Sequence, residues 1–121
     1  MPEIEQVIQN YLLAWNSPKP EERHLLINKV IDENCVYIDS HLPDPTVNRE
    51  LHCQFLDSFR AKFPDLSLKL ASPVNSHHGY FQFRWQIIKS NGDNFAQGSF
   101  FGEMNEQNQI KKLVGFVDAN N

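Results

Sequence analysis

From Tyr80 to Lys89 the chain alternates: Phe81, Phe83, Trp85 and Ile87 are separated by Tyr80, Gln82, Arg84 and Gln86. A period of two puts one set on each face of a strand. This segment is therefore half-buried β-structure, and it needs partner strands beside it and a second layer over its apolar face. Asn91-Gly92-Asp93 follows as a hairpin signal. Phe95 to Met104 and Ile110 to Asp118 complete a meander joined through Asn105 to Gln109, and Leu66 to Val74 supplies a strand ahead of it.

The covering layer comes from the first half of the chain. Ile4, Val7, Ile8, Tyr11, Leu12 and Trp15 recur at three- and four-residue steps, the signature of one face of an amphipathic helix. Asn16-Ser17-Pro18 ends it. Pro20 suits the first turn of a second helix, with Glu21 and Glu22 near its positive end, and this helix runs to Val30, burying Leu26 and Val30. Asn34 to Asp39 is a short strand rich in β-branched and aromatic residues. His41 to Thr46, with Pro43 and Pro45, is loop. A third helix from Asn48 to Ala61 buries Leu51, Phe55 and Phe59 along one line, bounded by Pro64. Helices gathered first and antiparallel strands afterwards mean an α+β fold. The expectation is one domain over 1–121: three N-terminal helices packed on a curved, mainly antiparallel sheet.

Charge excludes some functions. Eleven Lys and Arg against fifteen Asp and Glu leave a net −4, and Lys111-Lys112 is the one adjacent basic pair. Phosphate neutralisation needs clustered cations, so no nucleic-acid partner is expected. No apolar run approaches a bilayer span and no charged-then-apolar leader opens the chain, so a cytoplasmic protein without membrane partners is expected. Cys35 and Cys53 stand in no ligand or redox spacing and are read as reduced and mostly buried.

Two polar residues sit where apolar ones belong. Tyr11 lies on the apolar stripe of the first helix, and Asp39 closes the strand Cys35-Val36-Tyr37-Ile38-Asp39. Each also has a packing explanation. Tyr11 can be a core aromatic whose hydroxyl finds a partner, and Asp39 opens a Pro-rich loop whose backbone amides an Asp commonly binds. Asp39 and His41 are two apart and could share a face. With no third ligand at a recognisable spacing, no metal and no cofactor are expected. His77 and His78, if on a strand, point to opposite faces and do not share an ion; His77 has the parity of Phe81 and Phe83. Trp15, Tyr37, Phe55, Phe59, Phe81, Phe83 and Trp85 would converge on one space beneath the helices.

The order of elements resembles the nuclear transport factor 2 superfamily, nearest its SnoaL-like and ketosteroid-isomerase-like branch. The matching stretches are Tyr11-Leu12-Leu13-Ala14-Trp15-Asn16, Val36-Tyr37-Ile38-Asp39, Asn48-Arg49-Glu50, Phe63-Pro64-Asp65, Phe83-Arg84-Trp85 and Ile110 to Phe116. The resemblance implies a cone of cystatin-like fold whose open end admits a small hydrophobic molecule, and a homodimer formed through the outer sheet face. It places Asp39 at the position of the catalytic carboxylate and Tyr11 at that of a phenol donor. The third acid of the steroid isomerases has no counterpart in Gln97-Gly98-Ser99-Phe100-Phe101-Gly102, and Phe100 stands nearest the acid of the cyclases. Ser99 or Gln97 would be neutral substitutes, and the inward face of this strand is left open. A carboxylate in an apolar cavity exchanges protons closer to neutral pH, and a phenol can stabilise an enolate; ketosteroid isomerase is itself the standard example of such tuning. Asp39 and Tyr11 would then be catalytic. Trp15, Tyr37, Phe55, Phe59, Phe81, Phe83, Trp85, Phe100 and His77 would contact the ligand. The implied function is an isomerase, cyclase or hydrolase acting on a carbonyl compound; the alternative is a non-catalytic binding or dimerisation domain.

Overall fold

The computed structural model describes residues 2–119 of the 1–121 chain. Helix α1 (Pro2–Asn16) and helix α2 (Pro20–Val30) are followed by strand β1 (Ile31–Ile38) and helix α3 (Arg49–Lys62). Strands β2 (Ser67–Leu70), β3 (Asn75–His77), β4 (Tyr80–Ile88), β5 (Asn94–Met104) and β6 (Ile110–Val117) complete the fold. The sheet runs β1-β6-β5-β4-β2, with β3 also paired to β4. All pairs are antiparallel except β1 with β6. Only two helices precede the sheet. The expected third N-terminal helix comes after β1, because the chain must cross from β1 at one edge to β2 at the other, and α3 is that crossover. No helix among the described residues is long and apolar enough to cross a membrane.

Local chemistry explains most of the boundaries. Pro20 opens α2, Glu21 and Glu22 stand in its first turn, and Lys29 stands in its last. The Asn48 side chain caps α3 by accepting from the Leu51 amide at 2.8 Å. Gly92 takes a φ of +92° in the β4–β5 hairpin, a conformation that glycine adopts without a Cβ penalty.

Two segments depart from the expected pattern. Leu66 to Val74 is not one strand, because Pro73 has no N–H to give a ladder and Ser72 instead accepts the Arg84 amide at 2.8 Å. On α3 the fully buried residues are His52 and Leu56. Leu51 is 39% exposed, and Phe55 and Phe59 are half-buried. The inward stripe therefore sits one position beyond Leu51, and it includes a histidine that hydrophobic periodicity passes over.

The core lies between the helices and one sheet face, where Ile8, Tyr11, Ile27, Tyr37, Leu56, Phe81 and Leu113 are all essentially inaccessible. On β5 the inward residues are Gly98, Phe100, Gly102 and Met104. Aromatic rings pack close to the glycines: a Cβ on Gly98 would come within 2.6 Å of the Trp85 ring and 2.0 Å of the Phe116 carbonyl oxygen. The last residue of α1 then fastens the helical layer to the sheet. Asn16 Nδ2 donates to the Leu68 carbonyl at 2.7 Å, and its Oδ1 accepts the Leu68 amide at 2.7 Å. One side chain thus supplies both bonds that the free edge of β2 lacks. Asn16→Ala is expected to cost about 2 kcal/mol, read as a lower midpoint in urea with an unchanged slope.

Candidate functional site

Period two on β1 sets the site. Cys35 and Tyr37 face inward, so Asp39, two residues on, follows the same face, and its side chain is 8% exposed. The neighbouring residue on β6 is Gly115, whose missing side chain leaves the room: a Cβ there would stand 3.2 Å from Asp39 Cβ and 2.9 Å from Phe100 Cε1. The Pro-rich loop folds back on β1, with Tyr37 and Thr46 exchanging backbone bonds of 2.9 and 3.0 Å.

A cavity of about 410 Å³ opens above this point, bounded by α1, α3 and the inner sheet face. Trp15, Tyr37, Phe55, Phe59, Trp85 and Phe100 wall it, and Asp39 lies in the same wall. The rings brace one another around the space: Trp15 meets Phe59 at 4.9 Å and Phe55 at 5.7 Å, edge-on, and Tyr37 meets Phe55 at 5.3 Å. His41, Ser58 and Lys62 add the remaining polar groups of the lining. A mostly apolar concavity of this size with a few convergent polar groups has the form of a small-molecule site.

Both oxygens of the carboxylate are engaged. Tyr37 Oη donates to Asp39 Oδ2 at 2.5 Å, and the His41 amide donates to Oδ1 at 2.7 Å. The His41 ring is nearby, with Nδ1 3.7 Å from Oδ1, and its side chain is largely exposed. Two acceptor sites per oxygen leave the carboxylate able to take a further donor from the cavity. The loop-anchoring and site-facing readings of Asp39 thus describe one geometry.

Tyr11 lies elsewhere. It is fully buried and does not line the cavity. Its hydroxyl is 2.8 Å from His52 Nε2, and its ring stacks on the imidazole at a centroid distance of 5.7 Å. The phenol that touches Asp39 is Tyr37, so the expected Tyr11–Asp39 pairing across the cavity does not form. The reason is the unforeseen His52, which offers Tyr11 a buried partner. Burial lifts both the Tyr11 and Tyr37 phenols well above the ordinary tyrosine range. Phe81 and Phe83 pack in the core outside the cavity, stacked at 6.2 Å. His77 is exposed at the β3–β4 turn, away from the cavity. There His78 takes a φ of +54°, which brings the two Nδ1 atoms to 3.0 Å, so the pair is not split between opposite faces as a continuous strand would require. Ser99 and Gln97 lie on the outer face of β5, where Ser99 accepts from Arg84 at 3.0 Å. Neither lines the cavity; the inward residue beside Ser99 that does is Phe100.

Sequence reasoning missed Gly115, the rim residues and the Tyr37 hydroxyl as partner of Asp39. The last was legible, since residues two apart on a strand share a face. The indole N–H groups of Trp15 and Trp85 are buried without a hydrogen-bond partner, with that of Trp15 on the Tyr11 side.

Burial lowers the His52 pKa to about 3, well below the usual 6.5, so the imidazole stays neutral in the folded protein. Below pH 6.5 the unfolded chain binds a proton at this residue that the native state refuses. Its contribution to stability is therefore whole above pH 6.5 and falls as pH drops toward 3, by about 1.4 kcal/mol per unit. Between pH 7 and pH 5 the wild type is expected to lose about 2 kcal/mol more than His52→Gln, measured as the difference between their urea-unfolding curves.

No family model matches the sequence, and no curated protein matches it. Solved structures do. A candidate isomerase of the SnoaL-like family from Agrobacterium tumefaciens superposes with a TM-score of 0.90 at 28% identity, over 98% of this chain and 100% of that one. A candidate ketosteroid isomerase from Kribbella flavida gives a TM-score of 0.74 at 14% identity, over 99% and 81%. A candidate SnoaL-like polyketide cyclase from Jannaschia sp. gives 0.74 at 11%, over 96% and 85%.

Proposed function

Since the chain belongs to the nuclear transport factor 2-like superfamily, we propose that its cavity, the interior of a cone, binds a small, largely apolar carbonyl compound and that Asp39 exchanges a proton with it. The observation that carries this reading is the position of Asp39: one carboxylate in an aromatic wall, held by Tyr37 and the His41 amide, with acceptor capacity left over. Tyr37 fixes the carboxylate. Lys62 and His41, which line the same cavity, are the side chains best suited to donate to a ligand oxygen. The neighbour named as an isomerase supports the class of chemistry and leaves the substrate open.

A second reading is binding without turnover. It is favoured by the commitment of Tyr11 to His52 and by the absence of a carboxylate from the buried positions of β5, Gly98, Phe100, Gly102 and Met104. The two readings separate in one set of measurements. Small ketones and enones are screened by thermal shift against wild type, Asp39→Asn and Lys62→Met, and hits are followed by NMR for exchange of the α-hydrogen with deuterium. The expected outcome is Tm elevation by at least one compound. Exchange should slow about 10²–10⁴-fold in Asp39→Asn, and affinity should weaken in Lys62→Met without loss of fold. Binding with no exchange in the wild type selects the second reading, and equal stabilisation of wild type and Asp39→Asn removes the carboxylate from the site.

We further propose that the chain pairs with a second copy through the outer sheet face. Tyr80, Phe101 and Phe116 are 41%, 45% and 61% exposed there, with Tyr80 and Phe101 stacked at 5.9 Å. A contiguous exposed aromatic patch of this kind marks an association surface. The double substitution Phe101→Glu and Phe116→Glu is expected to convert a dimer to a monomer in sedimentation equilibrium. A monomeric wild type would refute the pairing.

A further inference from the structure

On the opposite side of α3 from the cavity, three side chains of different donor chemistry meet. His24 comes from α2, while Cys53 and Asp57 are one helical turn apart on α3, where positions four apart share a face. Their ligand atoms (an imidazole nitrogen, the thiol sulfur and a carboxylate oxygen) all lie within 4.8 Å of one another. We propose that this cluster is a binding site for a divalent, borderline-soft metal ion of the zinc type, bridging α2 to α3.

The donor set decides the class of ion. One nitrogen, one sulfur and one oxygen suit tetrahedral zinc, whose bonds to such atoms run from about 2.0 to 2.3 Å. Magnesium and calcium, which take oxygen ligands, are excluded by the same set. The separations need only small changes. His24 Nε2 stands 2.9 Å from Asp57 Oδ2, somewhat closer than two ligands of one tetrahedral ion, and the half-exposed His24 side chain is free to move back.

Arg23 already supplies outer support. It is buried, donates to Asp57 Oδ1, and is itself fixed by donating to the Ser17 carbonyl at 2.8 Å. Oδ2 remains for the ion while Oδ1 is held, the arrangement in which a ligating carboxylate is oriented by a second hydrogen bond. All three ligands line a polar depression of about 700 Å³ that also includes Arg49, Glu50 and Asn48, so water has access to complete a fourth position. None of the three ligands lines the apolar cavity, so this site is independent of the proposed ligand chemistry.

The spacing escaped the sequence reading because a Cys and an Asp four apart are ordinary on a helix, and the third ligand lies on another element. The experiment uses the whole chain, stripped with chelator and titrated with zinc and with cobalt(II) under reducing conditions. One zinc per chain is expected, with a raised Tm that magnesium does not produce, and cobalt should give a thiolate-to-metal charge-transfer band together with tetrahedral d–d absorption. Cys53→Ser and His24→Gln should each weaken zinc binding at least about tenfold, whereas His77→Gln should leave it unchanged. The cobalt spectrum is read on the wild type, so it does not depend on any variant folding. Absence of the thiolate band, or wild-type affinity retained in Cys53→Ser, overturns the proposal, as does binding that is lost only with the His77–His78 pair.

Discussion

The alternation of a single strand governs the site. Because side chains two apart on β1 must share a face, burying Tyr37 drags Asp39 inward with it. A carboxylate so placed is tolerable only when its oxygens are hydrogen-bonded, since an unpaired buried charge is strongly disfavoured. Tyr37 and the His41 amide satisfy that demand from either side. The loop after β1 is therefore part of the site's construction: its turn back to pair with Tyr37 is what brings an amide to the acid.

Why the space above Asp39 stays open follows from the shapes around it. Trp15, Phe55 and Phe59 meet edge to face, the geometry that ring quadrupoles favour. Such contacts hold the rings against one another instead of letting them fall into the void. On the sheet side, Gly98 and Gly115 let Trp85 and Phe100 lie close to the backbone, which widens the hollow where larger residues would narrow it. The half-burial of Phe55 and Phe59 has the same origin, because each packs on Trp15 with one side and lines the cavity with another.

Much of this architecture could be read from residue order. The Tyr80–Lys89 alternation, the Asn91-Gly92-Asp93 turn and the stripe on α1 give the meander and its cover, since each rests on a local period. What escaped depended on partners distant in sequence. Periodicity marks Tyr11 as inward but cannot show that His52, on another helix, meets its hydroxyl. Nor can it show that Gly115 stands beside Asp39, because that proximity arises from the parallel β1–β6 pairing. The inward face of β5 was undecided for a local reason: Phe100 and Phe101 are both apolar, and only the pairing with β4 and β6 assigns Phe100 to the interior.

The Tyr11–His52 pair limits which polar groups can serve the cavity. For Tyr11 to serve a ligand in the cavity, its hydroxyl would have to leave His52 Nε2, and His52 Nδ1 is already without a partner. Breaking the bond would strand a fully buried imidazole with both nitrogens unpaired, a cost of about 1–3 kcal/mol for the second unsatisfied atom. Tyr11 is thus held by its neighbour more firmly than a ligand hydrogen bond, worth about 1 kcal/mol net, would draw it away. Whatever polar chemistry the cavity performs must accordingly be organised from the β1 side, by Asp39 and the groups that hold it, with His41 and Lys62 as the other polar side chains of the lining.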